Sequence, residues 1–474
     1  MLDAGAMDLL MVAAELGPYV RVSEAADSVA SLAKTLRQLA HDVTICLPRH
    51  PEFEKQGLLV ARRLTPLTLS SGEEVTVLDG QLASGVRFVL LDAPGSSERA
   101  VVEGDARGAG WFAQATAALV AQRAVHGQLF DLVHLHDWPG ALVGAALRAL
   151  PDIELPLVLT VHDWRVQGRF ALGEAGALAL TPAGVAAAEL GGELNVLKAG
   201  VVLADEVTAV SRSALSELQS DAHDALGAWL GDQNPAVAGI PDGIDYALHN
   251  PAIDPLLISR YDAEDVSNKG RSKTDLIRRL GLELAPERPL FGAVGDITSA
   301  MGFDLLSAAL PALGRSDFAL LVAGSGADDL EAELGRHAER RRETVAWVKA
   351  PDEALVHRLY AASDVMLVLS RHQPGGASLL RAARYGAVPV ALATGAARDL
   401  VVDADAGLVT GTGFLFDEPT PDALRAAVQR ALAAYASPSW PRLRRRIMRQ
   451  DVGWDRPARR YQQVYRQAVA ARRA

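Results

Sequence analysis

The sequences FDLVHLHDWPGALVGAALRAL (residues 130–150) and LPLVLTVHDWRVQG (residues 155–168) decide the fold. Each begins with a short apolar run whose length and aliphatic content are typical of a buried parallel strand. Each run is followed by the tripeptide His-Asp-Trp. Ligands of open α/β sheets bind just beyond the carboxyl ends of the strands. We therefore expect His136, Asp137 and His162 to mark a binding site.

Three interpretations of the repeated His-Asp pair compete. A metal site would draw on His134, His136, Asp137 and His162. However, His134 and His136 alternate on one strand and further His or Cys pairs at ligand spacing are missing, so we expect no metal. In the second interpretation the pairs only satisfy backbone groups at strand ends. In the third they bind the hydroxyls of a sugar in a cleft.

Composition places the chain among soluble globular proteins. Its 474 residues are enough for two or three domains, and 49% hydrophobic with 22% charged residues is ordinary. The net charge of −11 argues against a nucleic-acid or anionic-membrane partner. The one cysteine, Cys46, has no partner for an internal disulfide. The first residues lack a basic signal region and no stretch is long enough to span a membrane, so we expect a cytoplasmic protein.

Strand and helix patterns alternate in both halves of the chain, separated by a Pro-rich irregular segment at residues 240–262. The first half has strand patterns at 8–14, 43–47, 75–78, 86–91 and 206–210, and helical patterns at 23–40, 111–126 and 195–204. The second half has strand patterns at 290–294, 319–323, 345–348, 365–369 and 388–392, and helical patterns at 303–310 and 454–473. This alternation predicts two doubly wound α/β domains with mostly parallel sheets, facing each other across a cleft.

Seven stretches, in order along almost the whole chain, resemble the family of bacterial glycogen synthases and plant starch synthases. They are LMVAAELGPYVRVSEAADSVASL (10–32), DLVHLHDWPGALV (131–143), LTVHDWRVQG (159–168), ELNVLKAGVVLADEVTAVS (193–211), PDGIDYALHNPAIDPLLISRY (241–261), SRHQPGGASLLRAARYGAVPV (370–390) and ATGAARDLV (393–401). Their order and spacing together carry the resemblance.

The resemblance implies a GT-B fold and a retaining glycosyltransferase reaction. An N-terminal starch-synthase-like domain at residues 7–240 would bind the growing α-1,4-glucan. A linker at 241–284 would lead to a C-terminal domain at 285–450 that binds the nucleotide-sugar, and a closing helix at 451–474 would cross back to the first domain. The family transfers glucose from ADP-glucose to the non-reducing end of the glucan, with no cofactor or metal required.

The motifs of the first half carry the family's site residues. By resemblance, His162 would contact the transferred glucose and Asp137 the acceptor glucan, and both are expected to be catalytic. Asp27, Gln167 and Lys198 stand where the family motifs have the same residue types. We therefore expect these three residues to bind the acceptor.

The loop after the first strand departs from the family. The family reads Lys-Thr-Gly-Gly-Leu there, and its glycines let backbone N–H groups approach phosphates at a helix N-terminus. This chain reads Arg-Val-Ser-Glu-Ala at residues 21–25. Arg21 keeps the positive charge and is expected to bind the donor, but Glu24 adds an anion. Ser23 is expected to cap the following helix, and Glu24 suits the dipole of that helix.

Two motifs of the second half depart further. The family's Ser-Arg-Leu-Thr-x-Gln-Lys-Gly becomes GDITSAMG at residues 295–302, which places Asp296 at the Arg position and Met301 at the Lys position. The family's Glu-Pro-Cys-Gly-Leu-Thr-Gln becomes QPGGASL at residues 373–379, so the expected catalytic carboxylate is the neutral amide of Gln373. All three positions are expected to line the donor site in degenerate form.

Smaller changes affect the rest of the donor side. Gly375 and Gly376 stand within the altered motif, and the family's Thr-Gly-Gly-Leu is here Thr394 and Gly395 followed by two alanines. These four residues are still expected to contact the donor.

Three functions compete on these observations. The first is an active α-glucan synthase with a rebuilt donor site, for which Lys269, Arg271 and Lys273 are candidate cations, although a solvated linker is the expected setting of these residues. The second is a non-catalytic glucan-binding scaffold or regulator. The third is a transferase that uses a different sugar donor. We favour a family member whose synthase activity is weakened or lost.

Overall fold

The structure is a computed structural model that describes residues 5–92, 104–283, 285, 287–313 and 317–473. It divides into two compact units. The first unit comprises the chain up to Asp242 together with the residues from Trp454 onward, and the second comprises Gly243–Gly453.

The first unit is built around a mixed sheet with helices between its strands. Its elements are β1 (Asp8–Val12), α1 (Ala25–Gln38), β2 (Asp42–Pro48), α2 (Glu52–Lys55), β3 (Val60–Arg62), β4 (Leu67–Thr68), β5 (Glu74–Gln81), β6 (Arg87–Asp92), α3 (Ala106–Val125), β7 (Leu132–His136), α4 (Asp137–Arg148), β8 (Leu157–Val161), β9 (Arg169–Ala171), a 3₁₀ turn (Leu172–Glu174), α5 (Pro182–Ala188), β10 (Glu189–Leu190), β11 (Glu193–Asn195), α6 (Val196–Leu203), β12 (Glu206–Ala209), α7 (Arg212–Gln219), α8 (Ala225–Gln233) and β13 (Val237–Gly239).

In the described part of this unit the strand order is β13-β12-β8-β7-β1-β2-β6-β5-β3, and β4 pairs with β5. The pairs from β13 to β6 are parallel, and only β3, β4 and β5 run antiparallel to their neighbours. The central strands are buried on both faces, which explains their continuous apolar sequences. Cys46 is buried on β2, and burial raises the pKa of its thiol to about 12. A small sheet, β10-β11-β9, was not predicted.

The second unit holds an all-parallel sheet in the order β16-β15-β14-β17-β18-β19. Its elements are α9 (Lys269–Arg279), β14 (Leu290–Val294), α10 (Phe303–Leu313), β15 (Ala319–Ala323), α11 (Asp328–Arg340), β16 (Val345–Val348), α12 (Glu353–Ala362), β17 (Val365–Val368), α13 (Ala377–Tyr385), β18 (Val388–Leu392), α14 (Ala396–Leu400), β19 (Phe414–Phe416), α15 (Pro421–Tyr435) and α16 (Trp440–Met448). The predicted α/β class, with mostly parallel sheets in both halves, is confirmed.

The closing helix α17 (Asp455–Arg473) belongs to the first unit, as predicted. It packs on α1, β8 and β12. Its buried face includes Tyr461 and Tyr465. The Tyr465 hydroxyl lies 2.9 Å from Nδ1 of the buried His134 on β7, so the last helix is fixed to the central sheet by a buried hydrogen bond.

The segment that carries Lys269 and Lys273 is not the solvated linker that we expected. It forms α9, and both ammonium groups are buried. Lys269 Nζ donates to the carbonyls of Ala361 and Tyr385, each 2.9 Å away. Lys273 Nζ lies 2.8 Å from a carboxylate oxygen of Asp364. Because both cations are engaged inside the second unit, neither is available as a substitute for the missing donor-site cations.

Among the described residues, no helix is long and apolar enough to cross a membrane.

We expect the buried carboxylate of Asp364 to be essential for the stability of the second unit. Asp364 accepts hydrogen bonds from Lys273 at 2.8 Å and Arg444 at 2.6 Å. Asp364→Asn would leave two cations without their counter-charge, and removing one partner of a buried ion pair typically costs about 3–5 kcal/mol. Urea unfolding, followed by a probe within residues 243–453, would measure this loss.

Asp417→Asn is the matched control for this measurement. Asp417 pairs with Arg398 at 3.1 Å on the surface, where an ion pair contributes about 1 kcal/mol or less. Equal loss of the free energy of unfolding in both variants would contradict a structural role for Asp364.

Candidate functional site

The two His-Asp pairs lie side by side at the carboxyl edge of the first sheet. β7 and β8 are parallel neighbours, and His136 ends β7 while His162 follows β8. Asp137 begins α4 with φ 55°, a conformation uncommon for residues other than Gly and often found at functional sites. Its carboxylate accepts the backbone N–H of His162 at 2.7 Å. The two strand ends are thus tied together by a side chain at the predicted site.

The imidazoles form a chain that ends at a carboxylate. His136 Nδ1 lies 3.0 Å from His162 Nε2, and both rings are buried. His162 Nδ1 is 3.9 Å from Asp242 Oδ2, too far for a hydrogen bond, and that oxygen accepts a hydrogen bond of 2.6 Å from the Ser28 hydroxyl. The structure therefore brings together His162, Asp137 and Asp242, and the start of α1 supplies Ser28 and its neighbour Asp27.

Burial sets the charge of these groups. It lowers the pKa of His136 well below the usual range and also lowers that of His162, although Asp242 opposes the shift for His162. Burial raises the pKa of Asp137 to about 7 and that of Asp242 to about 6. Near neutral pH the imidazoles are neutral, and Asp137 is close to its midpoint. Such groups can both donate and accept hydrogen bonds, as a polyhydroxylated neutral ligand requires.

Two buried polar atoms at this site have no hydrogen-bond partner among the described residues. They are Nε2 of His136 and Oδ1 of Asp242. Because buried polar atoms are nearly always hydrogen-bonded, these two atoms favour a polar ligand or solvent at this position. In the described part of the chain, no group of three or more His, Cys, Asp or Glu side chains is arranged to hold a metal ion.

The loop after β1 is held by its own carboxylates. Glu15 accepts the backbone N–H groups of Val22 at 2.6 Å and Ser23 at 2.9 Å. Arg21 pairs with Asp27 at 2.9 Å. Ser23 was expected to cap α1, but the helix begins at Ala25 and Glu24 occupies the N-cap position. Ser23 lies one residue earlier, and its hydroxyl accepts a hydrogen bond from the backbone N–H of Ala25. A phosphate at this loop would compete with an internal anion for the backbone amides.

Gln167 and Lys198, predicted to bind the acceptor, belong to a second cluster in the first unit. Gln167 Nε2 lies 3.0 Å from Asp224 Oδ2, and Gln167 Oε1 accepts a hydrogen bond of 2.7 Å from Asn195. Lys198 Nζ donates to backbone carbonyls, including that of Ala187 at 2.8 Å. Gln167 also lines a surface pocket of about 420 Å³. The residues around that pocket are Arg165, Gln167, Gly168, Arg169, Leu218, Asp221 and Asp224.

In the second unit, the predicted donor residues lie on three loops at the carboxyl ends of neighbouring strands. These loops, at 295–302, 370–376 and 393–395, follow β14, β17 and β18, and we call them the donor loops. They contact one another: the N–H of Arg371 donates to the carbonyl of Ala300, and the Thr394 hydroxyl donates to the carbonyl of Ser370. The sequence motifs thus converge within this unit.

The individual donor positions differ in exposure. Asp296 is exposed and Met301 is half-buried. Gln373 is buried, and its backbone carbonyl accepts the backbone N–H of Ala396. Gly376 precedes α13 with φ +76°, a conformation that favours glycine.

The remaining two predicted donor glycines, Gly375 and Gly395, are buried in the same loops, and Thr394 is half-buried. Arg371 is the only arginine or lysine of the donor loops, all of which the structure describes. Its guanidinium makes a two-pronged ion pair with Asp304, at 2.7 and 2.9 Å.

Sequence reasoning missed Asp242, Ser28 and Asp304. Asp242 lies in the segment PDGID and Ser28 one residue after Asp27, so both were near recognised motifs. The sequence indicated these two residues only indirectly, through the histidines at the strand ends that they approach. Asp304 lies in the first turn of α10 and had no signal beyond its proximity to the altered motif.

We expect the ionisation of Asp137 to lower stability as the pH rises. Its raised pKa means that the folded state keeps a proton that the unfolded state releases between about pH 4 and about pH 7. The contribution to stability is therefore full at low pH and falls as the pH rises through this window. Asp137→Asn cannot ionise, so it should match the wild type near pH 4 and exceed its free energy of unfolding near pH 8 by on the order of 2–4 kcal/mol.

Urea unfolding at both pH values measures this difference, with the exposed Asp232→Asn as a control in the same unit. A wild type and an Asp137→Asn variant with parallel pH profiles would contradict the raised pKa.

Comparison with known proteins agrees with the two units. A family described as starch synthase catalytic domain matches residues 8–230, and one described as glycosyl transferases group 1 matches residues 279–448. A glycogen synthase of Thioalkalivibrio sulfidiphilus is 34% identical over 98% of this chain and 100% of the relative. A glycogen synthase of Anaeromyxobacter sp. is also 34% identical, over 98% of this chain and 100% of the relative.

A solved structure is similar along the whole chain. The catalytic domain of starch synthase IV from Arabidopsis thaliana, bound to ADP and acarbose, matches with a TM-score of 0.86 and 25% identity over 98% of this chain and 100% of that chain. Sucrose-phosphate synthase from Thermosynechococcus elongatus shares the fold, with a TM-score of 0.61 and 18% identity over 98% of this chain and 100% of that chain. The predicted GT-B architecture is confirmed, and the chain belongs to the glycogen synthase and starch synthase family of glycosyltransferases.

Proposed function

We propose that this protein binds an α-1,4-glucan through its first unit and has a weakened or abolished transfer of glucose from ADP-glucose. The observation that carries the proposal is the charge of the donor loops. Arg371 is paired with Asp304, and Asp296 and Met301 occupy the positions where the family has Arg and Lys. The family reaction releases ADP, whose diphosphate needs fixed cations.

The sign change at Asp296 is the largest single effect. A carboxylate about 5 Å from a phosphate charge is unfavourable by roughly 3 kcal/mol at an effective dielectric near 20, whereas Arg would contribute a similar stabilisation. Loss of one preorganised transition-state donor commonly lowers the rate by about a hundred- to a thousandfold. With Met301 at the second basic position, we expect both contributions to be missing.

Gln373 adds a second defect. In the family a carboxylate lies beside the donor sugar, where it stabilises the positive charge that develops as the glycosidic bond breaks. An amide keeps hydrogen bonding but supplies only a dipole. Because Gln373 is 5% exposed, water has little access to compensate for the missing charge.

The first unit supports glucan binding. Neutral imidazoles and partly protonated carboxyls at His162, Asp137 and Asp242 match the mixed donor and acceptor character of sugar hydroxyls. The pocket beside Gln167 offers further polar groups in a site of about 420 Å³. The similar starch synthase IV structure is bound to acarbose. The first unit of this chain has the residue types of the family motifs at Asp137, His162 and Gln167.

We expect little glucan elongation by the wild type and more by a variant with a restored donor site. Glycogen primer would be incubated with ADP-glucose or UDP-glucose, and chain growth followed by incorporated label. The variant Asp296→Arg, Met301→Lys and Gln373→Glu should elongate glycogen at least about a hundredfold faster than the wild type with ADP-glucose.

Wild-type turnover at an ordinary rate of roughly 1–1,000 per second with ADP-glucose would contradict the weakened reaction. Rapid turnover with UDP-glucose alone would instead assign the protein a different donor. An Asp417→Arg variant, which adds positive charge at an exposed position of the same unit, controls for a general charge effect.

We expect His162→Ala and Asp137→Ala to weaken glycogen binding by at least about tenfold, since each removes a polar partner of the sugar. Affinity electrophoresis in glycogen-containing gels would measure the change, independently of any turnover. The control is His126→Ala, an exposed His of the same unit. Unchanged affinity in both site variants would remove the glucan-binding assignment.

A further inference from the structure

Four arginines lie along one side of α16 and the residue that follows its end. The set, called here the arginine stripe, is Arg442, Arg445, Arg446 and Arg449. The last three lie three, four and seven residues after Arg442, which places all four on one face of the helix. The opposite face packs into the core of the second unit through Leu443 and Ile447.

The arginine stripe lines a surface pocket of about 440 Å³, together with Gln450. Every residue around the pocket therefore carries side-chain N–H donors. A guanidinium presents five donors in a planar fork that matches the oxygens of a phosphate. The volume is within the range of small-molecule sites.

Three of the four guanidinium groups are anchored by the surrounding chain. Arg446 donates to the backbone carbonyls of Leu408, Val409, Thr410 and Gly411. Arg449 makes a two-pronged pair with Glu264 at 3.0 and 2.8 Å, and Arg445 Nε donates to the carbonyl of Ala263 at 3.3 Å. Anchored side chains lose little conformational entropy when a ligand binds. The five hydrogen bonds of Arg446 equal its number of N–H donors, so Arg446 supplies positive charge, and free donors come mainly from Arg442 and Arg445.

Arg442 is different, because no ion pair among the described residues of the second unit balances its charge. It lies in the first turn of α16, where the helix dipole disfavours a cation, whereas Arg445 and Arg446 are in the last turn, where the dipole favours one. Arg442 is exposed, and its side chain has no ion pair or hydrogen bond within the described residues. Structural stabilisation therefore explains three members of the stripe and not the fourth.

The carboxylates on the loops that contact the stripe are already engaged. Glu264 forms an ion pair with Arg449. The carboxylate of Asp262 accepts the backbone N–H groups of Glu264 and Asp265. Asp405 accepts the hydroxyl and N–H of Thr410. Among the described residues, Arg449 is the only member of the stripe that forms an ion pair, with Glu264. The four guanidinium groups therefore keep a net positive charge, in a protein whose formal net charge is −11.

We propose that the arginine stripe is a binding site for a small organic phosphate. The site lies outside the donor loops, none of whose residues line it. It is independent of the proposed glucan binding and of any transfer reaction. The contrast within one unit is direct: the donor loops carry one basic side chain, Arg371, which is paired with Asp304, whereas four arginines surround this pocket.

Calorimetric titration of the full chain with inorganic pyrophosphate tests the proposal. We expect one site per chain. Arg442→Gln with Arg445→Gln should weaken binding by at least about tenfold, because two charge-assisted contacts are removed. The matched control, Arg336→Gln with Arg340→Gln, removes the same charge from exposed positions of α11 and should change the affinity by less than about twofold. Arg446 and Arg449 are left intact because they hold neighbouring loops.

The proposal is overturned by three outcomes: the absence of pyrophosphate binding, equal weakening by both double variants, and unchanged binding after the Arg442 and Arg445 changes. Binding of a single-stranded oligonucleotide without binding of pyrophosphate would also overturn it, in favour of a polyanion surface. Arg442→Gln alone, at an exposed position, gives the same test with little risk to folding, and circular dichroism verifies each variant.

Discussion

The buried hydrogen bond between Tyr465 and His134 is the interaction on which the first unit depends. It joins the last helix of the chain to the central strand β7, at 2.9 Å and without access to water. His134 Nε2 continues to the hydroxyl of Thr160 on β8, 2.7 Å away. An unsatisfied polar group here would be unfavourable by about 1–3 kcal/mol, so sheet and closing helix are interdependent.

The same contacts reach the candidate site. The rings of His134 and His136 are 4.2 Å apart, and His136 is hydrogen-bonded to His162. Burial lowers the pKa of His134 to about 3, so this ring stays neutral and can accept one hydrogen bond while donating another. His162 is therefore connected to Tyr465 of α17, more than 300 positions away in sequence, through two hydrogen bonds and one contact between imidazole rings.

Much of the fold was predictable because buried parallel strands have continuous apolar sequences. β7, β8 and β14 are examples, and the return of the last helix followed from the family resemblance. The small sheet β9–β11 was missed because its strands are two or three residues long, too short for a periodic pattern. Helix α9 was missed because the charged sequence KGRSKTDLIRR predicts a solvent-exposed segment, whereas both of its lysines are buried.

The site could be predicted only as far as strand ends and motifs reveal it. The convergence of His136, Asp137 and His162 follows from two adjacent strands ending in the same tripeptide. Asp242 and Ser28 come from segments far apart in sequence, and only the folded chain shows that they share a hydrogen bond. The same holds for the pairing of Arg371 with Asp304, which turns an apparent donor-site cation into a neutral pair.

The lysines of the second unit are bound to carbonyl and carboxylate groups of the same unit. Lys269 and Lys273 cap carbonyls and neutralise Asp364 inside the unit, and Lys349 pairs with Glu331. Lys269 and Lys273 are buried and stabilise the fold, and moving either one to a substrate would leave a carboxylate or carbonyl without its partner. The donor loops contain Asp296 and no lysine, so a diphosphate bound there would meet that carboxylate without help from Lys269 or Lys273. Fold stability and phosphate binding draw on the same residue types, and in this unit the lysines are committed to stability.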